Sequence, residues 1–168
     1  QFKAMRNVFD GTSYELKEGY ELSEILLEGD CYKRLKAIHP EHYAGLPLTV
    51  RGRVPRLPDI LKMFSADEVT FKSDGSIPDN CFTNCYSLKR VIVEGKLKSV
   101  GKEAFAGCSS LEQVQAEFEE TLEINDYAFY HCDKLDAKPF VEAATSIGDG
   151  AFAFNDSIIG IRLRNDIS

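Results

Sequence analysis

The stretch VGKEAFAGCSSL, Val100 to Leu111, is nearly rewritten as INDYAFYHCDKL from Ile124 to Leu135, and again as IGDGAFAFNDSI from Ile147 to Ile158. A looser copy, IPDNCFTNCYSL, precedes them from Ile77 to Leu88. Phe82, Phe105, Phe129 and Phe152 stand 23, 24 and 23 residues apart. Ile77, Val100, Ile124 and Ile147 keep those steps, as do Leu88, Leu111, Leu135 and Ile158. Cys85, Cys108, Cys132 and Asn155 form a further column, and Cys81, Ala104, Ala128 and Ala151 a column of small residues. Columns held in register over four copies are the mark of a repeat architecture, in which no single unit buries its own apolar face.

Each unit divides in two. A turn carries the aromatic segment, as in GKEAFAGC, and an alternating segment follows, with Leu88, Val91 and Val93 in one copy and Leu111, Val114 and Ala116 in the next. Alternation indicates a half-buried strand. One strand per unit of about 23 residues fits an α/β solenoid, its strands stacked as a parallel ladder roughly 4.8 Å per coil. The turns are expected to place Gly101, Asn125 and Gly148 where positive φ is tolerated. Pro78 in the first copy should make that turn differ. Asp79, Asp126 and Asp149 are expected to cap the turn that carries each Phe, a column that Lys102 breaks.

The pattern I-G-x-x-A-F-x-x-C-x-x-L-x-x-V resembles the BspA-type leucine-rich repeat, found in surface proteins of gut and oral Bacteroidetes and in some protozoa. Four segments carry it between Ile77 and Leu163: IPDNCFTNCYSLKRVIV, VGKEAFAGCSSLEQVQA, INDYAFYHCDKLDAKPF and IGDGAFAFNDSIIGIRL. The resemblance implies a right-handed leucine-rich-repeat solenoid with an irregular N-terminal cap. It also implies an extracellular or cell-surface location and a partner that is a host matrix or surface protein, or a glycan. The third copy departs from the pattern, because Lys138 replaces the strand valine and Pro139 follows. Proline gives no donor to a ladder, so that strand should be weak or bulged.

Residues 1–56 do not repeat and are read as the cap, with 57–168 as the array of one irregular and four regular coils. Within YELSEILLEGDCYKRLKAI, the spacing of Leu22, Ile25, Leu26 and Leu35 predicts a helix started by Glu21 or Ser23 and stopped by Gly29. LPLTVRGRV predicts a strand, and LPDILKMFSADEVTF a short helix over 59–64 followed by a strand over 68–71. The chain opens on Gln1 and is expected to be a processed form, with any targeting peptide upstream. The last strand should reach Leu163, beyond which the array frays or continues.

Composition narrows the function classes. The 168 residues are 43 % hydrophobic and 28 % charged, enough to build a core. A net charge of −7 disfavours nucleic acid and anionic membrane as partners, and no apolar run is long enough to span a bilayer. The five cysteines, Cys31, Cys81, Cys85, Cys108 and Cys132, contain no CxxC pair. They read as buried reduced thiols, with one disulfide through Cys81 or Cys31 as the alternative. No His column accompanies them as a catalytic base would. HPEHY offers His39, Glu41 and His42, but Pro40 interrupts the helix that a zinc pair needs. The acidic EFEETLE, Glu117 to Glu123, lacks calcium-loop spacing and reads as a solvated turn at the one-residue insertion. Catalytic residues, metal ligands and cofactors are therefore expected to be absent, and a monomer is expected. The positions between the inward columns are the candidate partner site: Arg51, Arg53, Arg90, Ile92, Gln113, Gln115 and Arg162, with Ala137, Pro139 and Gly160 in line. Tyr130 and Phe154, on the aromatic turns, form a weaker second patch. The rival function is a structural spacer with no ligand of its own.

Overall fold

A computed structural model describes residues 3–9, 20–37 and 45–158. The regular repeats define its plan. Strand β4 (Glu68–Lys72) pairs in parallel with the first part of β6 (Arg90–Val100), which pairs in parallel with β7 (Gln113–Ile124). Short strands β5 (Ser76–Ile77) and β8 (Ser146–Ile147) pair with the far ends of β6 and β7. Strands β6 and β7 therefore each present two strand sides, where the sequence pattern indicated one per coil. The chain bends between the two sides of β6 at Gly95, whose φ is +96° and whose added Cβ would lie 2.9 Å from the Ser73 carbonyl oxygen. The second side sends Leu97 and Val100 into the core, and only Val100 belongs to a column of the repeat pattern.

The aromatic turn closes the coil, and its backbone is as regular as the strands. Positive φ recurs in pairs four residues apart, at Asn80 and Asn84, Glu103 and Gly107, Tyr127 and His131, Gly150 and Phe154. This geometry aims alternate N–H groups at the next coil: Asn80, Phe82 and Asn84 donate to the carbonyls of Lys102, Ala104 and Ala106 at 3.0, 2.6 and 2.8 Å. The first turn keeps the same two left-handed positions as the others, so Pro78 does not change it. Gly101 and Gly148, expected at positive φ, are absent from those positions. They are small for another reason. A Cβ on Gly101 would lie 2.5 Å from the Asp79 nitrogen and 2.7 Å from the Ile77 carbonyl oxygen, and Gly148 stands equally close to Asp126. The aspartates also act across coils and not within them. Asp79 accepts from the Lys102 N–H and Asp126 from the Asp149 N–H, both at 2.8 Å.

The columns found in the sequence are the core. Phe82, Phe105, Phe129 and Phe152 stack nearly parallel, with centroids 4.9, 5.1 and 5.3 Å apart. Phe71 closes the stack edge-on at 5.8 Å. Leu88, Leu111 and Leu135 are fully buried beside them. Cys108 and Cys132 donate their thiols to the carbonyls of Phe82 and Phe105, each at 3.0 Å. Asn155 occupies the same column and donates to the carbonyls of Cys132 and Leu135.

In the third copy the strand is replaced, beyond any bulge, by helix α3 (Lys138–Ala143). Pro139 sits in its first turn, where a missing N–H costs nothing. Phe140 packs against both Phe118 and Phe129. The acidic EFEETLE lies within β7 instead of a turn. Its extra length is absorbed by register shifts opposite Ile92–Ser99. The last expected strand, with Gly160, Arg162 and Leu163, lies outside the described residues.

The first half joins the same sheet. Strand β1 (Lys3–Phe9) pairs in parallel with β2 (Tyr20–Glu28), β2 with β3 (Leu48–Arg51), and β3 with β4. The helix expected from Leu22 to Leu26 is thus strand β2. Ile25 and Leu27 point to the core while Leu26 is buried beside Thr49 on the other face. A strand buried on both faces shows a continuous apolar run, which imitates helical spacing. The helix in this region, α1 (Tyr32–Ala37), follows Gly29 and buries Leu35. Helix α2 (Leu57–Met63) has Pro58 in its first turn and buries Leu57, Ile60 and Leu61. The expected helix and strand over 59–71 are therefore present as α2 and β4.

Candidate functional site on the outer face of the strand ladder

Parallel register turns the outward residues of successive coils into rows. The central row runs Leu26, Thr49, Thr70, Ile92 and Gln115. It grades from buried at Leu26 and Thr49, through half-buried Thr70 and Ile92, to exposed Gln115. One flanking row is Glu28, Arg51, Lys72 and Glu94, and the other is Glu68, Arg90 and Gln113. Charges in the flanking rows are paired between coils. Arg51 lies 3.7 Å from Glu28, Arg90 3.8 Å from Glu68, and Lys72 4.0 Å from Glu94. Arg90 also donates to the Gln115 side-chain oxygen at 2.8 Å. The result is a shallow stripe of Thr70, Ile92 and Gln115, uncharged and with Ile92 as its apolar member, between rows whose charges already balance.

Of the predicted site residues, the sheet brings together Arg51, Arg90, Ile92, Gln113 and Gln115. Arg53 does not continue the sheet, because β3 ends at Arg51 and the chain turns at Gly52, where φ is +66°. It lines a separate groove with Arg56, Asn80 and Thr83. Arg162 is outside the described residues. Ala137 is buried and Pro139 belongs to α3, so the described face stops at β7. The acidic partners Glu28, Glu68 and Glu94 were missed. Their signal was present, since each lies one coil, 22 or 23 residues, from an opposite charge.

The five cysteines are buried free thiols. Burial pushes the Cys81 thiol up to about 12, against a smaller opposing pull from Arg53. Burial likewise holds Cys85 protonated, and the neighbouring Cys108 thiol together with burial does so for Cys132. Protonated, enclosed thiols are poor nucleophiles and poor metal ligands. Among the described residues, no group of three or more His, Cys, Asp or Glu is placed to hold a metal ion. His39, Glu41 and His42 fall outside those residues. No described helix is long and apolar enough to cross a membrane.

Comparison with known proteins agrees with this architecture. A family model described as BspA type Leucine rich repeat region matches residues 66–168, in six copies. No curated protein and no solved structure matches the chain.

Proposed function

Because the chain belongs to the BspA-type leucine-rich-repeat family, we propose that it is a non-catalytic binding module working on or outside a bacterial cell. Residues 1–56 serve as its cap and 57–168 as its array, and the module acts as a monomer. The observation that carries the reading is the outer face of the ladder, where Thr70, Ile92 and Gln115 run between charge-paired rows. Such a face attaches by area and shape, without a deep pocket. Its partner is an extracellular protein, with a surface glycan as the other candidate. The test is a screen of the purified chain against immobilised matrix proteins and glycans, beside an Arg90→Glu/Gln115→Glu variant of unchanged circular dichroism. A hit lost in the variant supports the reading, and a hit retained moves the site off this face.

One observation favours the spacer alternative. The charges of the face already satisfy one another, as a surface with no partner would have them. A well-folded protein with no hit in the screen supports that alternative.

A further inference from the structure

The turn side carries exposed aromatic rings that neither the core nor the strand face uses. Tyr86 and Phe154 are each 61 % exposed. Phe154 stacks face to face on His131 at 4.1 Å, and the Tyr130 ring stands edge-on to both. These contacts hold Phe154, Tyr130 and His131 against one another, but burial does not explain the exposed rings. Between Tyr86 on one side and Tyr130 with His131 on the other lies a groove of about 460 Å³, floored by Ala106 and Gly107. Gly107 has φ +79°, and an added Cβ would meet the Asn84 side-chain oxygen at 2.6 Å, so the floor stays flat.

Glu103 also lines the groove. It is half-buried, and its carboxylate has no hydrogen-bond or ion-pair partner among the described residues. The Glu103 carbonyl is different, since it accepts the Thr83 hydroxyl at 2.6 Å. No Lys or Arg lines the groove, and the whole chain carries −7. The His131 ring is engaged by Asp133 at 3.4 Å.

We propose that this groove binds an arginine side chain of a partner protein, its guanidinium laid between Tyr86 and Tyr130 and paired with Glu103. A flat, delocalised cation stacks on aromatic faces and fills a carboxylate in a fork. A sugar fits less well. It would find the Asn84 amide and the Ser109 hydroxyl in the same lining, but it would leave the Glu103 carboxylate with no counter-charge. The site lies on the turns, so it is independent of the strand-face reading.

The test is an amide-resolved NMR titration of the full chain with acetyl-Gly-Arg-Gly-amide. The controls are the same peptide with uncharged citrulline and a neutral tetrasaccharide, cellotetraose. The arginine peptide should shift the amides of Glu103, Ala106 and Gly107. Citrulline should bind at least about fivefold more weakly, and so should the arginine peptide to Glu103→Gln or to Tyr86→Ala. Arg90→Glu should leave the titration unchanged. Equal binding of citrulline, equal binding by both groove variants, or no shift around Gly107 would overturn the proposal. Saturation by the tetrasaccharide with no response to arginine would overturn it in favour of a glycan site.

Discussion

Two kinds of glycine do different work in this chain. Gly101 needs no special backbone angle, yet a methyl group there would collide with the backbone of Asp79 and Ile77 one coil away. Gly52 has φ +66° but open space around its missing Cβ. We expect Gly101→Ala to cost roughly 2 kcal/mol or more, since backbone on both sides must move. Gly52→Ala should cost only about 1 kcal/mol of left-handed strain. Urea midpoints of the two variants decide the point, and a milder effect at Gly101 would refute the steric account. The thiols give a pH prediction. Cys81 ionises near 9 when free and near 12 when folded, so the fold favours its neutral form. Its contribution is complete below about pH 9 and is lost as pH rises toward 12. Melting temperature should therefore fall less steeply over that interval in Cys81→Ala than in the parent chain.

The stacked phenylalanines connect successive coils through the core. Phe105 is fully buried between two parallel rings, whereas Phe152 is 8 % exposed at the end of the described stack. Phe105→Ala should cost about 3–5 kcal/mol, and Phe152→Ala clearly less. Denaturation of the pair in parallel checks the order. Asn155 does for its coil what the thiols do for theirs. It donates to two buried carbonyls and accepts from Ser157 and Ile158. Asn155→Ala should cost about 1–3 kcal/mol by removing both donated bonds and the acceptor of the Ile158 N–H, although the Leu135 N–H still serves the Cys132 carbonyl and the Ser157 hydroxyl the Leu135 carbonyl. Helix α3 shows that one coil can exchange a strand for a helix and keep the array, because Phe140 still fills the space between Phe118 and Phe129.

Across the array, stability and binding are separable. The charged rows on the outer face are exposed or half-exposed, and their pairs face solvent. Reversing one such charge should change stability by no more than about 1 kcal/mol. Arg90→Glu is therefore expected to melt close to the parent while testing the face for partners. A large loss of stability, read by calorimetry, would show instead that the rows hold the coils together.

Regular columns determined the repeat, the inward phenylalanines and leucines, the buried thiols and the outward rows, because every coil puts the same demand on the same position. That information is local and periodic, and it needed only the spacing of Ile77, Phe82, Cys85 and Leu88 to be read. Contacts between coils were not legible in the same way. The aspartates cap the following turn, Gly101 is small because of Asp79, and Arg53 leaves the sheet, and each depends on what lies one coil away in space. Strand β2 was misread for the same reason, since burial on both faces erases the alternation that marks a strand. The groove beside Glu103 exists only after folding, because it takes Tyr86, Gly107 and Tyr130 from three successive turns and the stacking of coils sets them side by side.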